Sequence, residues 1–327
     1  MTTPLLSVEH VDVVFRFLEG EYHALEDITF SILPNEVVGI VGESGCGKSL
    51  TSLAIMGILP RNARVKKGSI HFKNLQLTAL KERQWQQIRG NNISMIFQEP
   101  MTALNPVLTV GRQISEVLWK HTKSSKQERK EKTIRMMKEV GLPRAEELYK
   151  AYPHQLSGGM RQRIVIAIAL MNETDLIIAD EPTTALDVTI QSQILELFQK
   201  IKHTRNASMI FISHDWGVIR KICDRVLVMY AGHIVEEGPV ADILQRPMHP
   251  YTKGLLQAIP DHKKRGTELY TIPGRVPALK ERKGGCPFVD RCSVRRDICR
   301  TAFPEKITDG RQAVRCHLYI KEGAAMS

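Results

Sequence analysis

The sequence contains no long apolar run and no recognisable targeting segment at its start. None of its apolar stretches approaches the roughly 18 to 20 residues that a membrane-spanning helix requires. Its N-terminal residues, MTTPLLSVEH, lack the basic start and the apolar core of a secretory signal peptide. We therefore expect neither a membrane-spanning helix nor export, and we expect the protein to stay in the cytoplasm.

Closely spaced cysteine pairs of the zinc-knuckle kind are also absent, although the chain has six cysteines. Four of them crowd into the end of the chain, where apolar residues are few: Cys286, Cys292, Cys299 and Cys316. Disulfides are disfavoured in a reducing compartment, and the few apolar side chains offset little of the entropy cost of ordering this tail. The crowding therefore predicts a metal staple. Irregularly spaced thiolates favour an iron–sulfur cluster; zinc, unliganded thiols and His317 as a substitute ligand are the alternatives.

The charge balance is basic, with a formal net charge of +11 over 327 residues. Much of the excess lies in KHTKSSKQERKEK, which begins at Lys120, and in the stretch after Asp261. Such charge fits nucleic acid, acidic lipid headgroups or solubility alone. Because Glu128 and Glu131 interrupt the first segment, we interpret it as a solvated helix face and expect no nucleic acid partner. The length predicts one large domain with an appendage, or two domains.

The segment from Gly42 to Ser49, GESGCGKS, matches the phosphate-binding pattern GxxxxGK[ST]. An apolar run that predicts a buried strand precedes it, and LTSLAIMGIL, which predicts a helix, follows it. The glycines allow the backbone to aim successive N–H groups at phosphate oxygens, and the helix adds its positive end. Lys48 would neutralise the β- and γ-phosphates, and the Ser49 hydroxyl would hold Mg²⁺.

Three further apolar runs end in side chains that suit phosphate chemistry. NISMIFQEP, LIIADEP and ASMIFISH each predict a buried strand, and the strands end at Gln98, at Asp180 with Glu181, and at His214. In parallel sheets, ligands bind outside the carboxyl ends of the strands. Gln98 can therefore reach Mg²⁺ or an attacking water, Asp180 can hold Mg²⁺, and Glu181 can polarise the water. We expect His214 beside the γ-phosphate.

A second anion-binding helix start is predicted by LSGGMRQRIVIAIALM, residues 156–171. Ser157, Gly158 and Gly159 stand where the long helix begins, and the free N–H groups of such an end attract phosphate. One nucleotide in one chain needs only one such end. The second end therefore predicts a phosphate site that two chains share.

The first strands offer an aromatic ring for an adenine base. Residues 5–15 alternate apolar and polar side chains, and the segment from His23 predicts an antiparallel partner. Together they predict a small β-layer beside the P-loop sheet. Phe15, or Tyr22 in its place, could stack on the base; the alternative for either is a place in the core.

Taken together, GESGCGKS, Gln98, LSGGMRQR, LIIADEP, ALD and His214 stand in the order found in ATP-binding-cassette ATPases, and residues 5–240 resemble that superfamily. FQEPMTALNP, the MRQR form of the signature, HPYT at residues 249–252 and the cysteine-bearing tail resemble its peptide and nickel transporter branch, most closely the D-type ATPases of dipeptide and oligopeptide permeases. The resemblance implies an α/β P-loop NTPase fold with a RecA-like core, an antiparallel β-layer and a helical subdomain at about 100–172. It implies a nucleotide-binding domain at 1–240 and a small C-terminal domain at 241–327 with a four-iron, four-sulfur cluster.

The resemblance also implies a role for each matching residue. Glu181 would be the general base, His214 would contact the γ-phosphate, and Gln98 would link Mg²⁺ and the water to the membrane subunits. Mg²⁺ would be held by Ser49, Gln98 and Asp180. The residues that would reach ATP on a partner ATPase are Ser157, Gly158, Gly159 and Asp187. The residues expected to contact ATP in this chain are Gly42, Glu43, Ser44, Gly45, Cys46, Gly47, Lys48, Ser49, Leu50 and Phe15, with no chemistry assigned to the Cys46 thiol.

The function that the resemblance implies is ATP hydrolysis that powers uptake of dipeptides, oligopeptides or related solutes. The implied partners are a second, different ATPase chain, two transmembrane permease subunits and an extracytoplasmic solute-binding protein, at the cytoplasmic face of a bacterial or archaeal membrane. Alternatives are transport of nickel complexes or antimicrobial peptides, and a soluble cassette ATPase that acts on nucleic acid or ribosomes. The single cassette and the lack of a heptad run argue against the soluble ATPase.

Overall fold

The computed structural model describes residues 3–99, 103–184, 186–259, 270–282 and 284–320. Ala185 of the ALD segment, residues 100–102 of FQEPMTALNP and much of the basic stretch after Asp261 lie outside these ranges. The chain divides into two compact units. The first unit comprises Met1–Ile32, Val38–Thr78 and Ser213–Ser327, and the second comprises Leu33–Val37 and Ala79–Ile212. Within the described ranges, no helix is long and apolar enough to cross a membrane.

Strands and helices are interspersed along the chain. The strands are β1 (Leu6–Phe17), β2 (Gly20–Ile32), β3 (Val37–Val41), β4 (Ala63–Phe72), β5 (Leu75–Gln76), β6 (Ile93–Ile96), β7 (Leu176–Asp180), β8 (Ser208–Ile212), β9 (Arg225–Tyr230), β10 (His233–Pro239), β11 (Lys306–Asp309) and β12 (Gln312–Arg315). The α-helices are α1 (Lys48–Met56), α2 (Glu82–Ile88), α3 (Val110–His121), α4 (Lys126–Glu139), α5 (Ala145–Leu148), α6 (Gly158–Leu170), α7 (Val188–Thr204), α8 (Trp216–Ile222), α9 (Val240–Gln245) and α10 (Pro250–Gln257).

Four strands of the first unit form an antiparallel sheet in the order β2-β1-β4-β5. Strands β1 and β2 pair as a hairpin, in which Phe15 lies opposite Tyr22. The alternating pattern that predicted this pair reflects burial of one face, where Val13 and Ile28 are fully enclosed. The antiparallel β-layer expected from the sequence is therefore present.

Five further strands of the first unit are hydrogen-bonded in the order β11-β12-β10-β9-β3. Strand β9 runs parallel to β3, and β10, β12 and β11 follow as antiparallel neighbours. The side chains of β3 and most of those of β9 are buried, which explains their almost uninterrupted apolar sequences. Strands β11 and β12 come from the C-terminal region, so this region extends a sheet of the first unit.

The second unit contains a parallel sheet of three strands, β6, β7 and β8, with β7 in the middle. Every residue of β7 and β8 is buried, as the apolar runs predicted. Helix α4 carries most of the basic segment after Lys120, and Ser125 starts it with a capping box to Glu128. Its buried side chains include Met136 and Met137 on one face, while most of its basic side chains are exposed. The basic side chains on this helix are thus largely exposed, and the interpretation of the segment as a solvated face stays a prediction.

Aromatic packing attaches the C-terminal region, from residue 241 onward, to the rest of the first unit. The ring of Tyr230 on β9 lies 4.6 Å from the ring of Tyr251 and 5.2 Å from that of Phe288, measured between centroids. A buried cluster that includes Met248 and Val314 packs within the region itself. These aromatic and aliphatic contacts hold the region through ordinary core packing.

Candidate functional site

A glycine-rich turn joins β3 to α1 in the first unit. The φ angles of Gly42, Gly45 and Gly47 are +155°, +76° and +113°, which glycine adopts without strain. A Cβ atom on Gly42 would lie 2.2 Å from the carbonyl oxygen of Met229, so the approach of this turn to β9 also requires glycine. The turn leads directly into the first turn of α1, whose N–H groups form an anion-binding end.

The Lys48 ammonium lies inside the curve of this turn. Its Nζ donates hydrogen bonds to the carbonyl oxygens of Gly42 and Glu43, at 2.8 and 3.1 Å, and the residue is only 6% exposed. Ser44 and Gly45 are exposed at the tip of the turn, and Ser49 and Leu50 are half-buried on α1. A fixed ammonium beneath a rim of main-chain N–H groups is suited to a polyphosphate.

The Cys46 thiol points into the protein. The residue is fully buried, and burial raises the pKa of the thiol, which therefore stays protonated. Its carbonyl oxygen accepts a hydrogen bond from the Gly232 N–H at 2.8 Å. Any contact of Cys46 with a ligand must therefore come from its main chain. This agrees with the expectation that the Cys46 thiol has no chemical role.

A cavity of about 460 Å³ opens beside the start of the turn and His214. The Ser213 N–H donates to the Ile40 carbonyl oxygen at 3.2 Å, which fixes the segment after β8 against β3. His214 is exposed on this segment and lines the cavity together with Gly42, Glu43, Asp215, Trp216, Leu255, Ala258 and Ile259. The imidazole therefore borders the same space as the first residues of the P-loop.

In the second unit, the end of β7 presents two acids. Asp180 is 4% exposed, and Glu181 has a φ angle of +45°, a strained conformation for a side chain with a Cβ. Gln98 Nε2 donates to Glu181 Oε2 at 3.2 Å, and Thr184 Oγ1 donates to the same oxygen at 2.9 Å. The structure thus brings Gln98 and Glu181 together and adds Thr184, which the sequence reasoning missed although it follows Glu181 by three residues.

The helix start at LSGG also lies in the second unit. Ser157 is the N-cap of α6, and its Oγ accepts the Met160 N–H at 3.4 Å. A Cβ on Gly158 would meet nothing within 4 Å, whereas one on Gly159 would lie 2.7 Å from Ile190. Asp187 caps α7 by accepting the Ile190 N–H at 2.9 Å. Contact with Ile190 therefore brings the Ser157 turn and the Asp187 turn together.

The aromatic residues considered for adenine lie on the β1–β2 hairpin. The rings of Phe15 and Phe17 are 6.1 Å apart, and those of Phe17 and Tyr22 are 5.9 Å apart. Phe15 and Tyr22 are half-buried, whereas Phe17 is 42% exposed, so Phe17 presents more of its ring to a ligand. The sequence reasoning missed Phe17 because the hairpin extends beyond the predicted end of the first strand.

The iron–sulfur cluster predicted for Cys286, Cys292, Cys299 and Cys316 is wrong. In the part of the chain that the structure describes, no group of three or more histidines, cysteines or acids is arranged to hold a metal ion. The four cysteines and His317 instead border a small cavity of about 20 Å³. Burial raises the pKa of the Cys286 thiol to about 12. The error came from counting only the apolar side chains of the tail itself, because two added strands and aromatic packing against Tyr230 of β9 also order it.

Comparison with protein-family models identifies two regions. The ABC transporter model matches residues 25–184, and the model described as the oligopeptide/dipeptide transporter C-terminal region matches residues 235–299. Among solved structures, the chain is similar to the ATP-binding cassette MJ0796, in a dimeric post-hydrolysis state bound to ADP and Pi. That similarity has a TM-score of 0.65 at 27% identity and covers 72% of this chain and 98% of the other.

Relatives of known name match nearly the whole chain. The dipeptide transport ATP-binding protein DppD of Bacillus subtilis (strain 168) is 50% identical, over 96% of this chain and 94% of its own. The oligopeptide transport ATP-binding protein AppD of the same organism is 47% identical, over 99% of each chain. The oligopeptide transport ATP-binding protein OppD of Salmonella typhimurium is 47% identical, over 94% of this chain and 92% of its own. The chain therefore belongs to the ATP-binding proteins of the oligopeptide and dipeptide ABC transporter family.

Proposed function

We propose that this protein is the ATP-hydrolysing subunit of a membrane complex that imports dipeptides or oligopeptides. The observation that carries the proposal is the 47–50% identity to peptide-transport ATP-binding proteins over nearly the full length. The match includes the C-terminal region as well as the cassette, which favours peptide import over other cassette functions.

The chemistry we assign is phosphoryl transfer from ATP to water, in which positioning and electrostatics supply most of the catalysis. The P-loop of Gly42–Ser49 holds the triphosphate, and Lys48 offsets its charge. Glu181 is the general base: Gln98 and Thr184 both donate to its Oε2, which leaves the carboxylate oriented to accept a proton from water. His214 contacts the γ-phosphate, and Phe15 or its neighbours on the hairpin contact the adenine.

Oxygen donors suited to Mg²⁺ are present among the assigned residues. The Ser49 hydroxyl, the Gln98 amide oxygen and the Asp180 carboxylate are hard oxygen ligands, which is the set that Mg²⁺ prefers beside phosphates. When bound, Mg²⁺ would offset charge on the β- and γ-phosphates. Asp180, one of these donors, is nearly fully buried at the carboxyl end of β7.

We further assign Ser157, Gly158, Gly159 and Asp187 to ATP held by a partner ATPase. Exposure of Ser157 and Gly158 at the start of α6 supports this, since an N-terminal helix end offers N–H groups to phosphate. The partner is a second, different ATPase chain, and the complex includes two permease subunits and an extracytoplasmic binding protein at the cytoplasmic face of a bacterial or archaeal membrane. Residues 1–240 are the nucleotide-binding domain, with a helical subdomain at about 100–172, and the cysteine-bearing residues 241–327 are a smaller C-terminal domain.

The test is transport by the reconstituted complex. The full complex in proteoliposomes, with binding protein and labelled dipeptide or oligopeptide on the outer face of the permease, should accumulate peptide only when ATP reaches the ATPase subunits. A matched labelled sugar should not accumulate. Accumulation of the sugar, or ATP hydrolysis that no peptide stimulates, would contradict peptide import while leaving the ATPase assignment intact.

A further inference from the structure

Tyr251 connects the C-terminal region to the main chain of the P-loop. Its hydroxyl oxygen accepts the Glu43 N–H at 2.8 Å. The residue is fully buried in the first turn of α10, which His249 caps by accepting the Tyr251 N–H at Nδ1. A buried hydrogen bond of this kind fixes the direction of the Glu43 peptide.

Arg291 holds the side chain of the same residue. Its Nη1 donates to Glu43 Oε2 at 2.6 Å and its Nη2 donates to Glu43 Oε1 at 3.0 Å, a bidentate ion pair. The Arg291 side chain is only 5% exposed. Its Nε also donates to the Pro273 carbonyl oxygen at 2.8 Å, which locks the guanidinium in place.

An aromatic cluster makes these two contacts rigid. The rings of Tyr230, Tyr251 and Phe288 lie within 5.4 Å of one another, centroid to centroid. The Arg291 guanidinium also lies 5.7 Å from the centre of the Tyr230 ring. Since Tyr230 belongs to β9, the hydroxyl and the guanidinium are both fixed to the sheet beside the P-loop.

Glu43 is a sensitive point of the loop. The Gly42 and Glu43 carbonyl oxygens both accept from Lys48 Nζ, so a rotation of this peptide segment would displace the ammonium assigned to the phosphates. Gly42 itself has the conformational freedom of glycine and supplies little restraint. Moreover, an unpaired Glu43 carboxylate would repel a triphosphate bound in the same loop, and Arg291 neutralises it.

We infer that Tyr251 and Arg291 are positioning residues for ATP binding, which hold the first turn of the P-loop and cancel its one negative charge through Glu43. The inference rests on the proposed assignment of Gly42–Ser49 as the triphosphate site. It gives the C-terminal region a part in the ATPase reaction that its sequence did not suggest.

The test is equilibrium binding of a fluorescent N-methylanthraniloyl derivative of ATP, with Mg²⁺, to the purified full chain. Tyr251→Phe removes one oxygen and keeps the ring, and it should weaken binding about fivefold to tenfold through the loss of one buried hydrogen bond. Tyr319→Phe is the matched control: its hydroxyl donates to the Met248 carbonyl oxygen within the same region, and binding should be unchanged.

The charge is tested with a second pair of variants. Arg291→Met should weaken binding by at least about tenfold, whereas Arg315→Met, which removes a similarly enclosed arginine paired with Asp27, should not. Because the effect is assigned to an uncompensated Glu43, adding Glu43→Gln to Arg291→Met should restore most of the affinity, and Arg291→Lys should be intermediate. In the assembled complex, KM for ATP should rise while kcat changes by less than about twofold.

Two outcomes separate this inference from the site assignment. Lys48→Ala serves as the reference, since it should lose binding if the loop is the triphosphate site. If Lys48→Ala loses binding while Tyr251→Phe and Arg291→Met bind within twofold of the wild type, the inference is wrong and the site stands. If Lys48→Ala binds normally, the site assignment itself fails. Failure of the added Glu43→Gln to restore binding would also overturn the inference.

Discussion

Glu181 adopts a conformation that a residue with a Cβ rarely adopts. Its φ angle of +45° costs free energy, and the neighbouring contacts compensate for it: the Glu181 N–H donates to the Ile212 carbonyl oxygen, and its Oε2 accepts from Gln98 and Thr184. The three hydrogen bonds hold Glu181 in this strained conformation and so fix its carboxylate in one direction. A general base requires such a fixed orientation, because a lone pair of the carboxylate oxygen must point at the water whose proton it accepts.

Thr184→Val should impair catalysis without impairing binding. The substitution keeps the shape of the side chain and removes the hydroxyl that donates to Glu181 Oε2, so the carboxylate loses orientation. We expect kcat of the assembled complex to fall about tenfold with KM for ATP unchanged. Thr204→Val, which removes a hydroxyl bonded to the Lys200 carbonyl oxygen at the end of α7, is the control. Equal kcat in the two variants would contradict a role for Thr184.

Two buried histidines predict that the protein loses stability in acid. Burial lowers the pKa of His233 and of His249 to about 3, from an ordinary value of 6.5. Below pH 6.5 the unfolded chain therefore binds protons that the native chain does not, and the stabilisation present above pH 6.5 is lost as the pH falls. The slope is up to about 1.4 kcal/mol per pH unit for each histidine.

Urea unfolding of the wild type at pH 7, 6 and 5 measures this loss. His233→Gln should give a shallower dependence on pH than the wild type, because one of the two sites is removed. His203→Gln, at an exposed position on α7, should leave the dependence unchanged. Identical slopes in the wild type and His233→Gln would show that the buried imidazole does not couple folding to pH.

At the scale of elements, features that neighbouring residues determine could be predicted from the sequence. The strand before the P-loop, the helix start at Ser157 and the strand ending at Asp180 follow from local patterns of apolar residues, glycines and caps, and the structure contains them. Pairings between distant segments leave no local signal. The pairing of β12 with β10 and the contact of Arg291 with Glu43, 248 positions apart, could not be read from the sequence.

The metal site predicted for the C-terminal tail was wrong because the prediction considered only the residues of the tail. Considered alone, its four cysteines and few apolar residues predicted a metal staple, yet Phe288 and Val314 share the buried core of the first unit. Burial of apolar surface against other elements offsets the conformational entropy that the tail loses on folding. In the same way, the sequence does not show that the turn after β7 places the Thr184 hydroxyl beside the Glu181 carboxylate.

The two helix starts should respond differently to substitution. Ser157→Arg places a large charged side chain at the exposed start of α6, and we expect it to leave ATP binding by the isolated full chain unchanged. In the assembled complex it should abolish most hydrolysis, because the arginine would prevent the start of α6 from contacting the ATP that the partner ATPase holds. Gln127→Arg, on the exposed face of α4, should do neither. Loss of ATP affinity in the isolated Ser157→Arg protein would mean that this helix start serves the chain's own nucleotide.

At the scale of the whole molecule, the residues that we assign to ATP hydrolysis are distributed over the two units. The first unit carries the P-loop, His214 and the C-terminal contacts to Glu43, and the second carries Gln98, Asp180, Glu181 and the Ser157 turn. The family to which the chain belongs adds the context of peptide import. The central claim is therefore that this subunit hydrolyses ATP with its own base, Glu181.

The most direct test is steady-state phosphate release by the assembled complex, with the base of the partner ATPase already removed. Glu181→Gln replaces the carboxylate by an amide that cannot accept a proton. It should reduce phosphate release by at least about 100-fold, while binding of ATP to the complex stays within about threefold of the parent. Phosphate release near the parent rate, with ATP binding intact, would contradict the account.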